Sequence, residues 1–437
     1  MGLHFLKSAL SLPIPDHKEL TIGHAYEEYQ PTVVYIPAVD ARNQPLKNLI
    51  ADGEKVYKGT LIGTGVDDFP VYSSVSGRVL GHKLMMMADG KVRDCLEIEN
   101  DKQAHWVLKP ALKRVDRCTK DEIMAAIKDS GTVGFGGAGF PTYRKYLTDQ
   151  RIDYIIINAV ECEPYLTTDF CYGRSHMAEL FYALPYLLKL TGAKRIFFAV
   201  KKDREALIQA AKIEARKKGN RDLPFVIKLL PDRYPMGYER SIVREILHKE
   251  YKALPIEAGA VVNNLYSLMS LGRRFVLGQV AVDRCVTVSG EVFAPKDLLV
   301  PYGALASELI NRCGGPKLEQ FVLINGGPMC GNAHESDYVT MLQSNGVLLL
   351  KPMNNKPEPC WHCGMCIDNC PMGLQPVQIQ LALKSGNVER IRKLDAAMCV
   401  NCGLCSFVCP SKIDVAANIQ KAKELLRKST STQKGGK

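Results

Sequence analysis

The chain has 437 residues, 46% of them hydrophobic and 24% charged, an ordinary globular composition with length for about three domains. No apolar run reaches the roughly 18 residues of a membrane-spanning helix, no signal-peptide pattern opens the chain, and Leu6 stands where N-myristoylation needs Ser or Thr. The formal charge is +11, but six Lys or Arg against Glu424 in the last eighteen residues leave about +6 for the rest; no basic stripe is interleaved with aromatic residues, which argues against nucleic acid.

Residues 1–117 read as short strands and turns, with a turn at Asp52-Gly53, extended runs over 56–63 and 71–79, and a further turn signal at Ser76-Gly77. The spacing of "DGEKVYKGTLIG" and "SSVSGRV" resembles a lipoyl-type barrel-sandwich domain, and no Lys sits at the tip of the second hairpin to carry a prosthetic group. A helix is expected from a capping box at Thr119 and Glu122 to Ser130-Gly131. A strand over 154–159, an amphipathic helix around 176–190, a strand over 196–200 and a helix over 204–217 then alternate, which predicts an α/β domain across 118–280. Strands over 285–293 and 321–324 bracket a helix near 304–312, so residues 281–350 are expected to form a small α+β unit. A proline-rich linker over 351–359 opens a cysteine-rich helical domain, 351–418, with helices over 376–384 and 388–394. Residues 419–437 read as a basic tail, either solvated or attracted to anionic partners.

Between the first helix and the strand over 154–159 lies "GFGGAGFPTYRKY". Gly134-x-Gly136-x-x-Gly139 has the spacing of a dinucleotide fingerprint, but a helix precedes it where that motif needs a strand, so a tight turn between packed elements stays open. Consecutive glycines let backbone N–H groups approach a phosphate, Pro141 suits the first turn of a helix, and Lys145 follows one turn on. A helix dipole contributes at most about 2 kcal/mol and micromolar binding needs about 8, so most affinity would come from burying a ring system such as a flavin. Asn158, Glu161 and Glu163 fall just past the strand's carboxyl end, where α/β sheets bind ligands. In an extended segment the two glutamates share one side and suit ring N–H groups or ribose hydroxyls; the alternative is a polar loop capped by its own carboxylates.

Eight of the fifteen cysteines repeat one pattern, Cys360-x-x-Cys363-x-x-Cys366-x-x-x-Cys370-Pro371 and Cys399-x-x-Cys402-x-x-Cys405-x-x-x-Cys409-Pro410. This is the two-cluster ferredoxin pattern, in which the last Cys of each run serves the other cluster. Cys360, Cys363, Cys366 and Cys409 then hold one [4Fe-4S] cluster, and Cys399, Cys402, Cys405 and Cys370 the second. Zinc sites are usually built from separated Cys pairs closing one tetrahedron, and disulfides need paired Cβ vectors, so both fit the pattern poorly. Thiolates that must stay reduced point to the cytoplasm. Cys95, Cys118, Cys162, Cys171, Cys285, Cys313 and Cys330 read as small core residues, with Cys162 the one to watch for redox sensitivity.

In order along the chain, "GGAGFPT", "NAVECEPYLTTD", "YPMGYER", "VVNN", "GGPMCG" and the two Cys runs resemble the RnfC family, the C-subunits of Rnf electron-transport complexes. The central domain is similar to the NADH-binding flavoprotein subunit of respiratory complex I. The resemblance implies a multidomain α/β chain: a barrel-sandwich β domain, an FMN/NADH α/β domain, a soluble-ligand-binding β-grasp module and an α-helical two-cluster ferredoxin domain. It implies FMN beside Gly134, Gly136, Gly137, Ala138, Gly139 and Lys145, with Asn158, Glu161, Asn263 and Asn264 nearby, and NADH facing Phe140, Glu163 and Glu239. Tyr238 stands where the family usually has glycine, and Val160 where the flavoprotein of complex I has Asp. The chain also lacks the long alanine- and lysine-rich extension of many relatives.

The activity implied is that of a ferredoxin:NAD⁺ oxidoreductase subunit. It would pass electrons between NADH, FMN and two [4Fe-4S] clusters in a complex that moves Na⁺ or H⁺. The implied place is peripheral, on the cytoplasmic face of the cell membrane. The subunit would be held there through other Rnf-type subunits, including a ferredoxin-like cluster-bearing one, with ferredoxin reached indirectly. Two alternatives are a soluble flavin/iron–sulfur reductase of the cobalamin-reductase type, and a wiring subunit with a vestigial flavin site.

Overall fold

A computed structural model describes residues 14–40, 42–353 and 356–434, with side chains to Ser429. Leu6, Asn354 and Asn355 of the linker, and the last three residues lie outside these segments. After β1 (Glu27–Glu28), a β domain is built from β2 (Val33–Pro37), β3 (Lys55–Val56), β4 (Leu61–Thr64), β5 (Pro70–Tyr72), β6 (Gly77–Met86) and β7 (Val92–Asn100). One sheet runs β2-β7-β6-β3 and a second pairs β4 with β5, closing over Val34, Ile36, Val56, Ile62, Val79 and Ile98. The expected runs over 56–63 and 71–79 are each broken in two. Thr60 Oγ1 accepts from Tyr57 N at 2.9 Å and Ser73 Oγ donates to Val75 O at 2.7 Å, so hydroxyls compete locally with strand pairing.

The central domain begins with α1 (Lys120–Asp129) at the predicted capping box: Thr119 Oγ1 accepts from Glu122 N at 3.1 Å and Glu122 Oε2 from Thr119 N at 2.7 Å. Then β8 (Tyr154–Ala159), α2 (Thr168–Thr191), β9 (Arg195–Lys201), α3 (Glu205–Arg216), β10 (Phe225–Leu230), α4 (Glu239–Leu247), β11 (Ala260–Asn264) and α5 (Leu265–Leu277) follow. The four strands are parallel in the order β10-β9-β8-β11. Ile155 and Ile157 of β8 join a core with α1, α2 and α5; Ile156 joins Phe197, Val262 and Ile242, Val243 and Ile246 of α4 on the other face. Burial on both faces is why this strand reads as an unbroken apolar run. Helix α2 starts at Thr168, well before the expected 176, because its first turn buries the polar residues Thr168 and Asp169 and so hides the amphipathic period.

The third unit comprises β12 (Asp283–Gly290), β13 (Lys296–Pro301), α6 (Ala306–Arg312), β14 (Val322–Asn325), β15 (Asn332–His334) and β16 (Gly346–Leu350). Its sheet runs β1-β13-β12-β16-β14-β15 with β12 and β16 parallel at the centre, two hairpins flanking a parallel pair in the β-grasp manner. Its edge strand β1 comes from the N-terminal segment, so that segment is shared between units. Glu27 is clamped there by Lys296 and Arg312, each at 2.8 Å.

The C-terminal domain holds α7 (Met365–Asp368), α8 (Pro376–Lys384), α9 (Val388–Lys393), α10 (Leu404–Phe407) and α11 (Val415–Lys434). The segment expected as a basic tail is therefore the body of α11. Ile419 and Ala422 are 1% and 0% exposed, packed with Leu374, Ile379 and Ile391. The stripe Val415, Ile419, Ala422, Leu426 has helical spacing, and the abundance of Lys and Arg around it masked that stripe. Among the described residues no helix is long and apolar enough to cross a membrane.

Candidate functional site

Strands β9 and β10 lie to one side of β8, and β11 to the other, so the topological switch point of the sheet falls between β8 and β11. Asn158 and Asn264 stand opposite one another at the carboxyl ends. Asn264 Oδ1 caps α5, accepting from Tyr266 N at 2.9 Å and Ser267 N at 3.3 Å. Asn263 Nδ2 donates to the Tyr146 hydroxyl at 2.9 Å, and Asn158 Nδ2 to Gly237 O at 2.8 Å. All three asparagines therefore shape the crevice while bonded within the protein.

The glycine loop is moored beside this crevice. Gly134 N donates to Phe140 O at 2.8 Å, and Ser267 Oγ, in the first turn of α5, lies 3.1 Å from Phe135 N and 3.0 Å from Val133 O. Gly136 and Gly139 have φ of 68° and 67°, the left-handed region that favours glycine. Gly134 and Gly137 do not, and a Cβ added there would meet nothing nearer than 3.7 Å and 3.9 Å. The protein's own packing thus leaves those two positions open. Gly136, Gly137 and Ala138 are exposed, as is Phe140 at the loop's end.

Lys145 closes a four-residue 3-10 turn, Thr142–Lys145, so the expected helix after Pro141 is absent and a helix dipole contributes little. Its charge is placed directly instead: Nζ lies 2.8 Å from Glu239 Oε1 and 2.7 Å from Val262 O. Tyr238 occupies the N-cap of α4, which leaves Glu239 as the first helical residue facing Lys145. An open glycine loop, a half-buried ammonium and a switch-point crevice fit a phosphate-bearing flavin nucleotide.

Glu161 and Glu163 part company, because residues 163–165 turn, with Tyr165 at φ 67°, instead of running extended. Glu161 Oε1 accepts from Thr168 Oγ1 at 2.8 Å and Asp169 N at 3.2 Å, capping α2, as the alternative of self-capped carboxylates describes. Glu163 binds Met329 N at 3.1 Å through Oε2, with the Tyr234 hydroxyl 3.1 Å from Oε1, and burial pushes its carboxyl up.

The cysteines gather around two cavities. Cys360, Cys363, Cys366 and Cys409 line one, with Trp361 and His362; Cys370, Cys399, Cys402 and Cys405 line the other. Among the described residues no group of three or more His, Cys, Asp or Glu is gathered to hold a single metal ion. Zinc would draw its four sulfurs to about 2.3 Å from one centre, whereas thiols spread round a cavity fit a cluster. Of the other cysteines, Cys162 is held as a thiol, pushed up to about 12 by burial. Cys330 is exposed as a residue, not a core one, and its Sγ lies 3.1 Å from the Tyr234 hydroxyl and 3.2 Å from Asn401 O.

The second Cys run rests on the central domain and the β-grasp unit. The Tyr234 hydroxyl donates to Cys402 O at 2.7 Å, and a Cβ at Gly403 would stand 2.4 Å from Met329 O. Segments carrying Glu163, Tyr234 and Met329 thus converge on one corner. Sequence reasoning assigned no role to Tyr234 or Met329 and placed Cys330 in the core, although the blocks "YPMGYER" and "GGPMCG" contain all three.

Residues 11–103 match the RnfC barrel sandwich hybrid domain, residues 127–273 the Nuo51 FMN-binding domain, and residues 359–413 the 4Fe-4S dicluster domain. With the crevice and the two thiol-lined cavities, these define an electron-transfer oxidoreductase subunit built on FMN and two [4Fe-4S] clusters. The chain is 31% identical over 394 residues to the C-subunit of the ion-translocating oxidoreductase complex of Rhodobacter capsulatus, covering 86% of this chain and 75% of the relative. It is 30% identical to the C-subunit of the proton-translocating ferredoxin:NAD(+) oxidoreductase complex of Clostridium ljungdahlii, over 80% of this chain and 78% of that one. It is also 30% identical to the C-subunit of the Na(+)-translocating ferredoxin:NAD(+) oxidoreductase complex of Acetobacterium woodii, over 80% and 81%. The chain belongs to this family, the C-subunits of ion-translocating oxidoreductase complexes.

Proposed function

We propose that this chain relays electrons between NADH and a ferredoxin-like, cluster-bearing partner subunit, running from ferredoxin towards NAD⁺ when the complex drives ion movement. It would sit peripherally on the cytoplasmic face of the cell membrane, held by the other subunits. The observation that carries the order of relay is the contact of the Cys399 run with the corner formed by Glu163, Tyr234 and Met329. The Cys399 cluster then lies on the flavin side. The Cys360 cavity has Trp361, 63% exposed, and Met365, 41% exposed, at its rim, which suits it to face the partner.

FMN held there would supply the exchange between a hydride's electron pair and the single electrons that clusters carry. The backbone at Gly134 and Gly137 admits the nucleotide closely, Lys145 offers its phosphate a positive charge, and Asn158, Glu161, Asn263 and Asn264 hold the crevice in shape. Phe140 offers a ring face and Glu239 a carboxylate on the NADH side, while Glu163 ties the flavin domain to the β-grasp unit at Met329 and Tyr234 ties it to the Cys399 run. The barrel-sandwich match over residues 11–103 favours this reading over a soluble reductase.

Anaerobic purification with iron, sulfide and flavin quantified should yield about eight irons and one FMN per chain. In Cys402→Ala, NADH should bleach the flavin and leave the Cys360 cluster oxidised on the turnover timescale. In Cys363→Ala the remaining cluster should still be reduced. The reverse pattern would overturn the order.

A further inference from the structure

We infer that Lys423 of α11 and Arg244 of α4 raise the reduction potential of the Cys399 cluster by placing positive charge against its ligand loops. The inference deepens the two-cluster reading and rests on it. Lys423 Nζ donates to the Cys399 carbonyl at 2.7 Å and lies 3.4 Å from Asn401 Oδ1. Arg244 Nη1 donates to Pro371 O at 3.3 Å, the carbonyl next to Cys370. The Tyr234 hydroxyl adds a neutral donor on Cys402 O at 2.7 Å. Three of the four ligand positions thus receive a hydrogen bond on their own carbonyl or the adjoining one. Two of the donors are cations, one from the flavin domain and one from the helix whose composition suggested a tail. Side-chain donors onto the first run include Asn369, to Met365 O at 2.9 Å, and Ser411, to Pro359 O at 2.9 Å; both are neutral.

Reduction adds an electron to a centre ligated by four thiolates, so a nearby cation stabilises the reduced form more than the oxidised one. Lys423 is half-buried, where solvent and salt screen its charge less than at the surface. Cluster potentials respond to net charge, hydrogen bonding and exposure, and here the first two act in the same direction. The consequence is that electrons entering from the partner through the Cys360 cluster are drawn to the flavin side.

The test is an EPR-monitored redox titration of the full chain, purified anaerobically with iron counted. The one-electron step that disappears in Cys405→Ala belongs to the Cys399 cluster. In Lys423→Met that step should move to lower potential, with the ratio of reduced to oxidised cluster at fixed potential falling about tenfold, 59 mV for one electron. The other step should stay in place, and Lys423→Arg should titrate like the parent. An unmoved step in Lys423→Met, or an equal shift of both steps, would overturn the inference. Should Lys423→Met lose iron, Arg244→Met decides by the same criterion. A parent chain with about four irons and a single step would overturn the two-cluster reading itself, and this inference with it.

Discussion

Gly137 separates a ligand site from a tight turn more sharply than its neighbours do. Its φ is not left-handed and an added Cβ would meet only Gly134 O, at 3.9 Å. Gly137→Ala should therefore leave thermal stability within about 0.5 kcal/mol of the parent, while flavin retained through gel filtration drops. Lys145→Ala should lower flavin affinity about tenfold or more, since a hydrogen bond to a charged group contributes about 1.5–3 kcal/mol. Its iron content should stay unchanged, both quantities being read on one anaerobic preparation. Glu161 shows the opposite case: its position past β8 was legible, but its partners were not. A carboxylate seven residues before a helix start looks the same in sequence whether it faces a ligand or caps that helix.

Among the elements, α11 was the hardest to see and is simple to test. Ile419→Ala removes a side chain only 1% exposed and should cost about 2–5 kcal/mol. The loss should appear as lower iron content and an earlier melt of the cluster domain, with flavin retained. The seam between the β-grasp sheet and the flavin domain carries a pH signature. Asp297 of β13 accepts from Thr287 Oγ1 at 2.6 Å and Thr167 Oγ1 at 2.8 Å, and burial pushes its carboxyl up to about 6 from an ordinary 3.8. The folded state then binds a proton that the unfolded chain has released, so this contribution is fully present below pH 4 and is lost as pH rises through 6. Asp297→Asn should flatten the fall in stability over that window, on the order of 3 kcal/mol, in urea unfolding followed across pH. Helix α1 and strand β8 stand at the other extreme. A capping box and a doubly buried apolar run are local signals, and each element appears where those signals place it.

At the scale of the molecule, the relay depends on surfaces far apart in the chain meeting at one corner. Gly403→Ala places a Cβ 2.4 Å from Met329 O at a residue with φ 76°, and should push the Cys399 run away from that corner. In stopped flow, NADH bleaching of the flavin should keep its rate and cluster reduction should slow, with iron and flavin contents unchanged. Chemistry whose geometry is local was legible along the chain: thiols at three-residue spacing, glycines in one loop, an apolar strand followed by acidic residues. Which of these groups face one another is settled by the packing of distant segments. Lys145 meets Glu239, Tyr234 meets Cys402, β1 joins a sheet some 270 residues later, and Lys423 leaves an expected tail to sit on a cluster loop. Contacts between distant segments are chosen by burial and polar satisfaction over the whole molecule, and no short window of sequence contains both partners.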